Sequence, residues 1–336
     1  MENTHPSNRI VDFQFRWIGL SMALLLCFEL GTTAAHAQGY HPRSRVRVEV
    51  PKPAPAPTPP LKSPVDVTCE RIAKRLASVA LEDCADSVLA SSGATSHQGT
   101  PILVGEFPPA SDRKPLGRVL VFGGIHGDEF SSVSIVFKWL TSLDNYHSGL
   151  FHWRIVPLLN PDGLLRAKSQ RMNDRGVDLN RNFPAPNWSE SAEEFWIRKT
   201  ARNPRRYPGP APLSEPESRW LADEIERFDP TVIVAVHAPI HLVDFDGPAQ
   251  PPQKLGPLQL RLMGTYPGSL GRYAGVTMGR PVVTIELPHA GIMPTRMEQE
   301  TIWSDLVAWL SKTALASNEF AAEVATNAVG VTGGGN

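Results

Sequence analysis

Val119-Leu120-Val121-Phe122-Gly123-Gly124-Ile125-His126-Gly127-Asp128-Glu129 is the stretch on which the fold turns. A short apolar run is closed by two glycines, then by an imidazole and a carboxylate three positions apart. The run reads as a buried strand, and the polar residues as the turn leaving its carboxyl end. Phe130 to Leu140 then carries Val133, Val136, Phe137 and Leu140 at helical spacing, so the strand passes into a helix. Three later runs behave like the first: Arg154 to Leu159 stops at Asn160, Thr231 to Val236 at His237, and Pro281 to Ile285 at Glu286. Alternating strands and helices predict an α/β domain with a largely parallel or mixed sheet. In open sheets of this kind the ligand crevice lies beyond the carboxyl ends of the strands, where these polar residues fall.

Outward from this body, composition divides the chain. Arg9 and Arg16 precede an apolar run from Trp17 to Leu30, and Ala35-His36-Ala37 offers small residues for cleavage. Residues 1–37 therefore read as a signal peptide that directs the protein to the periplasm or another exported location. The run is short of the ~20 residues a spanning helix needs, so no stable membrane span is expected after cleavage. Residues 38–64 include the proline-rich run Pro51 to Pro64, an extended spacer. Residues 65–95 read as a helical segment carrying Cys69 and Cys84. A disulfide between them suits an oxidising compartment, but one unbroken helix would hold them ~22 Å apart, so either the chain doubles back or both thiols stay free. The catalytic domain is assigned to 96–316, and the small, polar residues 317–336 to a flexible tail. Ser214 with Glu217 reads as a capping box opening the helix of Trp220, Leu221 and Ile225, and Trp139 and Trp220 as packing residues. With 33 basic and 34 acidic residues the formal charge is -1, which gives no field to gather nucleic acid.

His126 and Glu129 alone are a weak metal motif, equally at home in a surface turn. His237, at the end of the apolar run Val232 to Val236, supplies a third ligand, unless it is a hydrogen-bonded core histidine. Two imidazoles and one carboxylate leave one coordination position open for water, as a catalytic zinc requires. Asp128 and Asp178 read either as partners of the ligand imidazoles or as turn residues.

Asn160-Pro161-Asp162-Gly163, Arg171, and Gly176-Val177-Asp178-Leu179-Asn180-Arg181-Asn182-Phe183-Pro184 follow in order, and the region from Ser96 to Pro288 resembles the zinc carboxypeptidase family. The resemblance implies a three-layer fold with a mixed, largely parallel central sheet and helices on both faces. It implies that His126, Glu129 and His237 bind one zinc per chain and that Glu286 is the general base. It further implies that Arg171 faces the scissile carbonyl and that Asn180 and Arg181 grip a substrate carboxylate. Tyr273 is the candidate for a substrate-capping tyrosine, while Asn182 reads as a turn residue. Within the family, the motifs together with Tyr266-Pro267-Gly268-Ser269-Leu270-Gly271 are most similar to enzymes that cut murein peptides between γ-D-glutamate and meso-diaminopimelate. The competing readings are a general exported carboxypeptidase removing C-terminal residues from proteins or small peptides, a deacylase of N-acyl amino acids, and a non-catalytic cell-wall binding protein. The oligomeric state is not legible in the sequence.

Overall fold

The computed structural model describes residues 61–331, so the expected signal peptide and most of the spacer lie outside the described residues. Ser63 caps the first helix, α1 (Pro64–Arg75): its hydroxyl accepts from the Asp66 N–H, and the Asp66 carboxylate accepts in return from the Ser63 N–H. Ser63 and Pro64 thus belong to the folded body, not to the spacer. Helix α1 stops at Leu76, whose extended backbone sends the chain back into the short α2 (Glu82–Ala85). The reversal brings the Cα atoms of Cys69 and Cys84 to 5.5 Å, and the two are disulfide-bonded.

The segment 65–95 is not helical throughout. Ala90–Thr95 forms β1, paired antiparallel with β2 (Pro101–Phe107), so the expected boundary at residue 96 falls inside a hairpin. Ala90-Ser91-Ser92-Gly93-Ala94-Thr95 has no apolar run to announce it; backbone pairing at the edge of the sheet holds it.

The remaining strands are β3 (Arg118–Phe122), β4 (His152–Val156), β5 (Val232–His237), β6 (Leu242–Asp246), the small hairpin β7 (Lys254–Leu255) and β8 (Leu258–Gln259), and β9 (Val282–Glu286). Among the described residues the main sheet runs β1-β2-β4-β3-β5-β9-β6. Its centre, β4-β3-β5-β9, is parallel; β1, β2 and β6 join antiparallel. The expected mixed, largely parallel sheet is present.

Side-chain alternation divides the core in two. Val119 and Val121 of β3 and Val232, Val234 and Val236 of β5 face one layer, with α1, α3 (Phe130–Tyr146) and α7 (Arg296–Val331). Leu120, Phe122, Ile233 and Ala235 face the other, with α6 (Pro216–Phe228). Two short helices, α4 (Pro161–Leu165) and α5 (Glu194–Lys199), lie in the connection between β4 and α6. Trp139 and Trp220 are buried as expected, Trp139 stacking against Trp303 at 5.4 Å.

Two helix ends differ from expectation. Helix α6 takes Glu215 as its N-cap with Pro216 in the first turn, so the Ser214–Glu217 capping box does not form. Glu217 turns inward instead and accepts from Asn173 Nδ2 and the His97 N–H. Helix α7 continues to Val331, through most of the expected loose tail; alanines recur from Ala314 to Ala328, and alanine is the strongest helix former. Among the described residues no helix is long and apolar enough to cross a membrane.

The disulfide closes a loop with a sequence separation of 15. Cys84→Ser should therefore lower unfolding stability by ~3 kcal/mol on the loop-entropy argument, measured as a shift of the urea midpoint. The reduced wild type should shift alike; an unchanged midpoint in both would show that the bridge contributes nothing.

Candidate active site

Sheet register places two of the polar residues side by side. His237 and Glu286 end β5 and β9 and are direct partners across that parallel pair. Both share the α6 side of the sheet with Ala235 and Thr284, two positions earlier on their strands. From β3, next to β5, the chain runs through Gly123-Gly124-Ile125 into His126, and Glu129 forms the N-cap of α3.

The ligand atoms converge. His126 Nδ1 lies 2.8 Å from Glu129 Oε1, His237 Nδ1 lies 3.1 Å from Glu129 Oε2, and the two Nδ1 atoms are 3.2 Å apart. The Nδ1–Nδ1 edge and the His237–Glu129 edge come near the ~3.3 Å between neighbouring ligands around a tetrahedral ion with bonds of ~2.0–2.1 Å, while the His126 contact, made to the other carboxylate oxygen, is shorter. Two imidazole nitrogens and a carboxylate facing one point are the donor set of a bound cation. The three residues are buried and form a group able to hold a metal ion. Burial works to raise Glu129, but the facing imidazoles prevail and hold its carboxyl well below the usual range. On the far side of His126, Nε2 lies 3.1 Å from Asp178 Oδ1, which fixes the ring and leaves Nδ1 for the ion.

The Asn160 to Asn182 region is packed against this turn. Asn160 accepts from the Gly163 N–H and donates to the Ile125 and Arg171 carbonyls, tying the metal turn to the loop that carries Arg171. Gly127 must be glycine: a Cβ there would lie 2.2 Å from the Gly163 carbonyl carbon. Arg171 donates through Nε to Asp178 Oδ2 at 2.9 Å, and its Nη1 lies 3.5 Å from Glu129 Oε1. Farther along, Asn173 donates to Glu215 and Glu217 and accepts from the Val177 N–H, hanging the loop on the start of α6. Asn180 accepts from the Leu270 N–H. Gly268, at φ +75°, brings its backbone against Arg181, where a Cβ would meet the carbonyl oxygen at 2.0 Å. Asn182 is fully buried and donates to the Pro208 and Ala211 carbonyls, so its side chain ties two distant loops together and does not close its own turn.

His126, Glu129, His237, Glu286, Arg171, Asn180 and Arg181 all line one cleft of about 580 Å³. Glu286 Oε2 and Arg181 Nε are buried without a hydrogen-bond partner among the described residues. Burial raises the Glu286 carboxyl and brings the Arg181 guanidinium down to about 10. The cleft is lined by Arg171, Arg181, Arg205 and Arg206 and also by Asp244 and Asp246 of β6, which pair with Thr284 and Val282 of β9. Burial, reinforced by Asp244, raises Asp246 to about 6.

One candidate, Tyr273, is corrected and one open reading, that of Asp128, is decided. Tyr273 does not line the cleft: it sits in a π-helical turn, Gly271–Thr277, stacked on Phe183 at 5.7 Å, with its hydroxyl directed to Glu226. The tyrosine in the cleft is Tyr266, half-exposed, with the Arg181 guanidinium 4.7 Å from its ring centroid. Asp128 pairs with Arg205 at 2.8 Å instead of a ligand imidazole; Asp178 alone has that role. Tyr266 lay within a quoted motif, but no spacing rule distinguished it from Tyr273. The aspartates of β6 sat in a strand without an alternation strong enough to single them out.

The family model for zinc carboxypeptidases matches residues 76–243. Murein peptide amidase A of Escherichia coli strain K12 is 30% identical over 235 residues, spanning 66% of this chain and 92% of the relative. Its namesake from Vibrio campbellii is 30% identical over 197 residues, 56% of this chain and 75% of the relative. Carboxypeptidase A from Helicoverpa armigera shares the fold at a TM-score of 0.52 and 17% identity, over 75% of this chain and 72% of that one. The matched model, the 30% relatives and the convergence of His126, Glu129 and His237 agree: the chain belongs to the zinc carboxypeptidase family, and the ion for which its two imidazoles and one carboxylate are arranged is zinc.

Proposed function

We propose that the protein is an exported murein peptide amidase, hydrolysing the amide between γ-D-glutamate and meso-diaminopimelate. The observation that carries this reading is the pairing of charges in the cleft. An ordinary C-terminal residue offers one carboxylate, which Arg181 suffices to hold. Diaminopimelate adds an ammonium and a second carboxylate at its far end, and the cleft offers acids on β6 as well as arginines. The names of the 30% identical relatives, murein peptide amidases, support a murein peptide as the substrate. Nothing in the site favours a non-catalytic wall-binding role, because the base and the three ligands converge on one cleft. Export draws support from the leader-like residues 1–37 and from the buried Cys69–Cys84 bridge, which persists in an oxidising compartment.

Zinc held by His126, Glu129 and His237 supplies Lewis acidity, polarising a carbonyl and making water more acidic. The protein's own groups do the rest. Arg181 and Asn180 fix the carboxylate beside the scissile nitrogen, a task suited to a guanidinium fork and an amide. Arg171, oriented by Asp178, donates to the carbonyl oxygen as negative charge develops there. Glu286, whose Oε2 has no other partner among the described residues, takes the proton from the attacking water and passes it to the departing amine.

Glu286→Gln should bind zinc and substrate as the wild type does while losing ~10²-fold or more in kcat, because the amide cannot take the proton. Wild-type turnover with zinc bound would contradict the assignment. The substrate reading is tested by competing L-Ala-γ-D-Glu-meso-diaminopimelate against α-linked peptides of L-residues, with products read by mass spectrometry. The γ-linked tripeptide should be cut faster, at the final amide; faster cleavage of the α-linked peptides would leave a general carboxypeptidase. Asp246 should show itself in the pH profile. Its carboxyl is neutral below about 6, so KM for the diaminopimelate substrate should rise as pH falls through that value. In Asp246→Asn, KM should be raised throughout and lack this step; an identical profile in both proteins would remove Asp246 from substrate binding.

A further inference from the structure

Three of the four arginines that line the cleft are held by other groups of the protein. Arg171 is held by Asp178 and Glu129, Arg205 by Asp128, and Arg181 stacks on Tyr266 and donates to the Asn180 carbonyl. Arg206 differs. It ends a 3-10 turn, Pro204–Arg206, whose backbone is anchored by the Asn203 side chain, and it lines the cleft half-buried. Its guanidinium has no ion pair or hydrogen bond among the described residues. Burial and the neighbouring charges of Arg171 and Arg205 act against its protonated form, with Asp178 and Tyr266 opposing them. A cleft-lining guanidinium without a protein partner has donors free for a group that enters the cleft, and a carboxylate is the group that matches them.

Arg181 already accounts for the carboxylate beside the scissile nitrogen. A γ-glutamyl bond leaves a further carboxylate on the other side of the scissile carbonyl, the α-carboxylate of glutamate, which an α-linked peptide lacks. Arg206 shares its surroundings with Arg171, the residue placed at that carbonyl. We propose that Arg206 binds the free α-carboxylate of the γ-linked acyl residue and is the residue by which the cleft selects γ-linked over α-linked amides. This rests on the murein reading above and adds to it the residue that reads the linkage. Arg206 acts in binding, so its effect belongs in KM.

The test uses the zinc-loaded protein, wild type and Arg206→Gln, with three forms of L-Ala-γ-D-Glu-meso-diaminopimelate: unmodified, amidated at the glutamate α-carboxylate, and amidated at the distal carboxylate of diaminopimelate. Amidating the glutamate should cost the wild type roughly 10- to 100-fold in kcat/KM, mostly in KM, the range expected for a charged hydrogen bond. Arg206→Gln should cut the acid and this amide equally well, near the wild type's lower level, with its zinc content unchanged; Arg206→Lys should restore part of the discrimination. Amidating the distal carboxylate should affect wild type and Arg206→Gln by the same factor. The proposal is overturned if glutamate amidation costs Arg206→Gln as much as it costs the wild type, or if the lost discrimination follows the distal carboxylate. Failure of the murein reading would look different: the wild type would leave the unmodified tripeptide intact while cutting α-linked peptides.

Discussion

The hydrogen-bond register between β5 and β9 sets His237 beside Glu286, so one of the metal ligands and the proposed base are positioned by the backbone before any side chain is chosen. A slip of one residue in β9 would turn Glu286 to the face opposite His237, because side chains alternate along a strand. The register is held by the burial of Val232 to Val236 and of Val282, Val283 and Ile285 between two helical layers. Central parallel strands buried on both faces cannot slide without exposing apolar side chains. The apolar core is thus what holds the polar site in place.

Around that pair the site is built from buried charges that satisfy one another. Asp178 is fully buried and meets both the His126 ring and the Arg171 guanidinium. Its burial would raise its pKa, yet Arg171 and His126 hold it well below the usual carboxylate range. Such a carboxylate orients a metal ligand and a substrate-facing arginine together, so removing it would disturb both. Asn173, Glu215 and Glu217 do similar work farther out, joining the arginine-bearing loop to α6. That demand for inward carboxylates, with Pro216 in the first turn, is why α6 opens without the capping box its sequence spelled.

What could be read in the sequence follows a physical divide. His126, His237 and Glu286 were legible because each ends an apolar run, and burial leaves a strong periodic mark. The strand Ala90–Thr95 left no such mark, since an edge strand of small polar residues is defined by backbone pairing. Tyr273 and Tyr266 are separated by packing alone: a π-helical turn carries one against Phe183, while the other stays over Arg181. Arg206 and the aspartates of β6 belong to no motif, and their meaning emerges only when the fold gathers them around the cleft.

The central claim is that backbone register and one tight turn build a single zinc centre from two imidazoles and one carboxylate. Zinc-edge anomalous diffraction from crystals of the protein tests it most directly. One zinc peak is predicted, bound by His126 Nδ1, His237 Nδ1 and a Glu129 carboxylate oxygen, with Glu286 beside it and not coordinated. A second metal sharing the site, a peak at other residues, or Glu286 as a direct ligand would contradict the account.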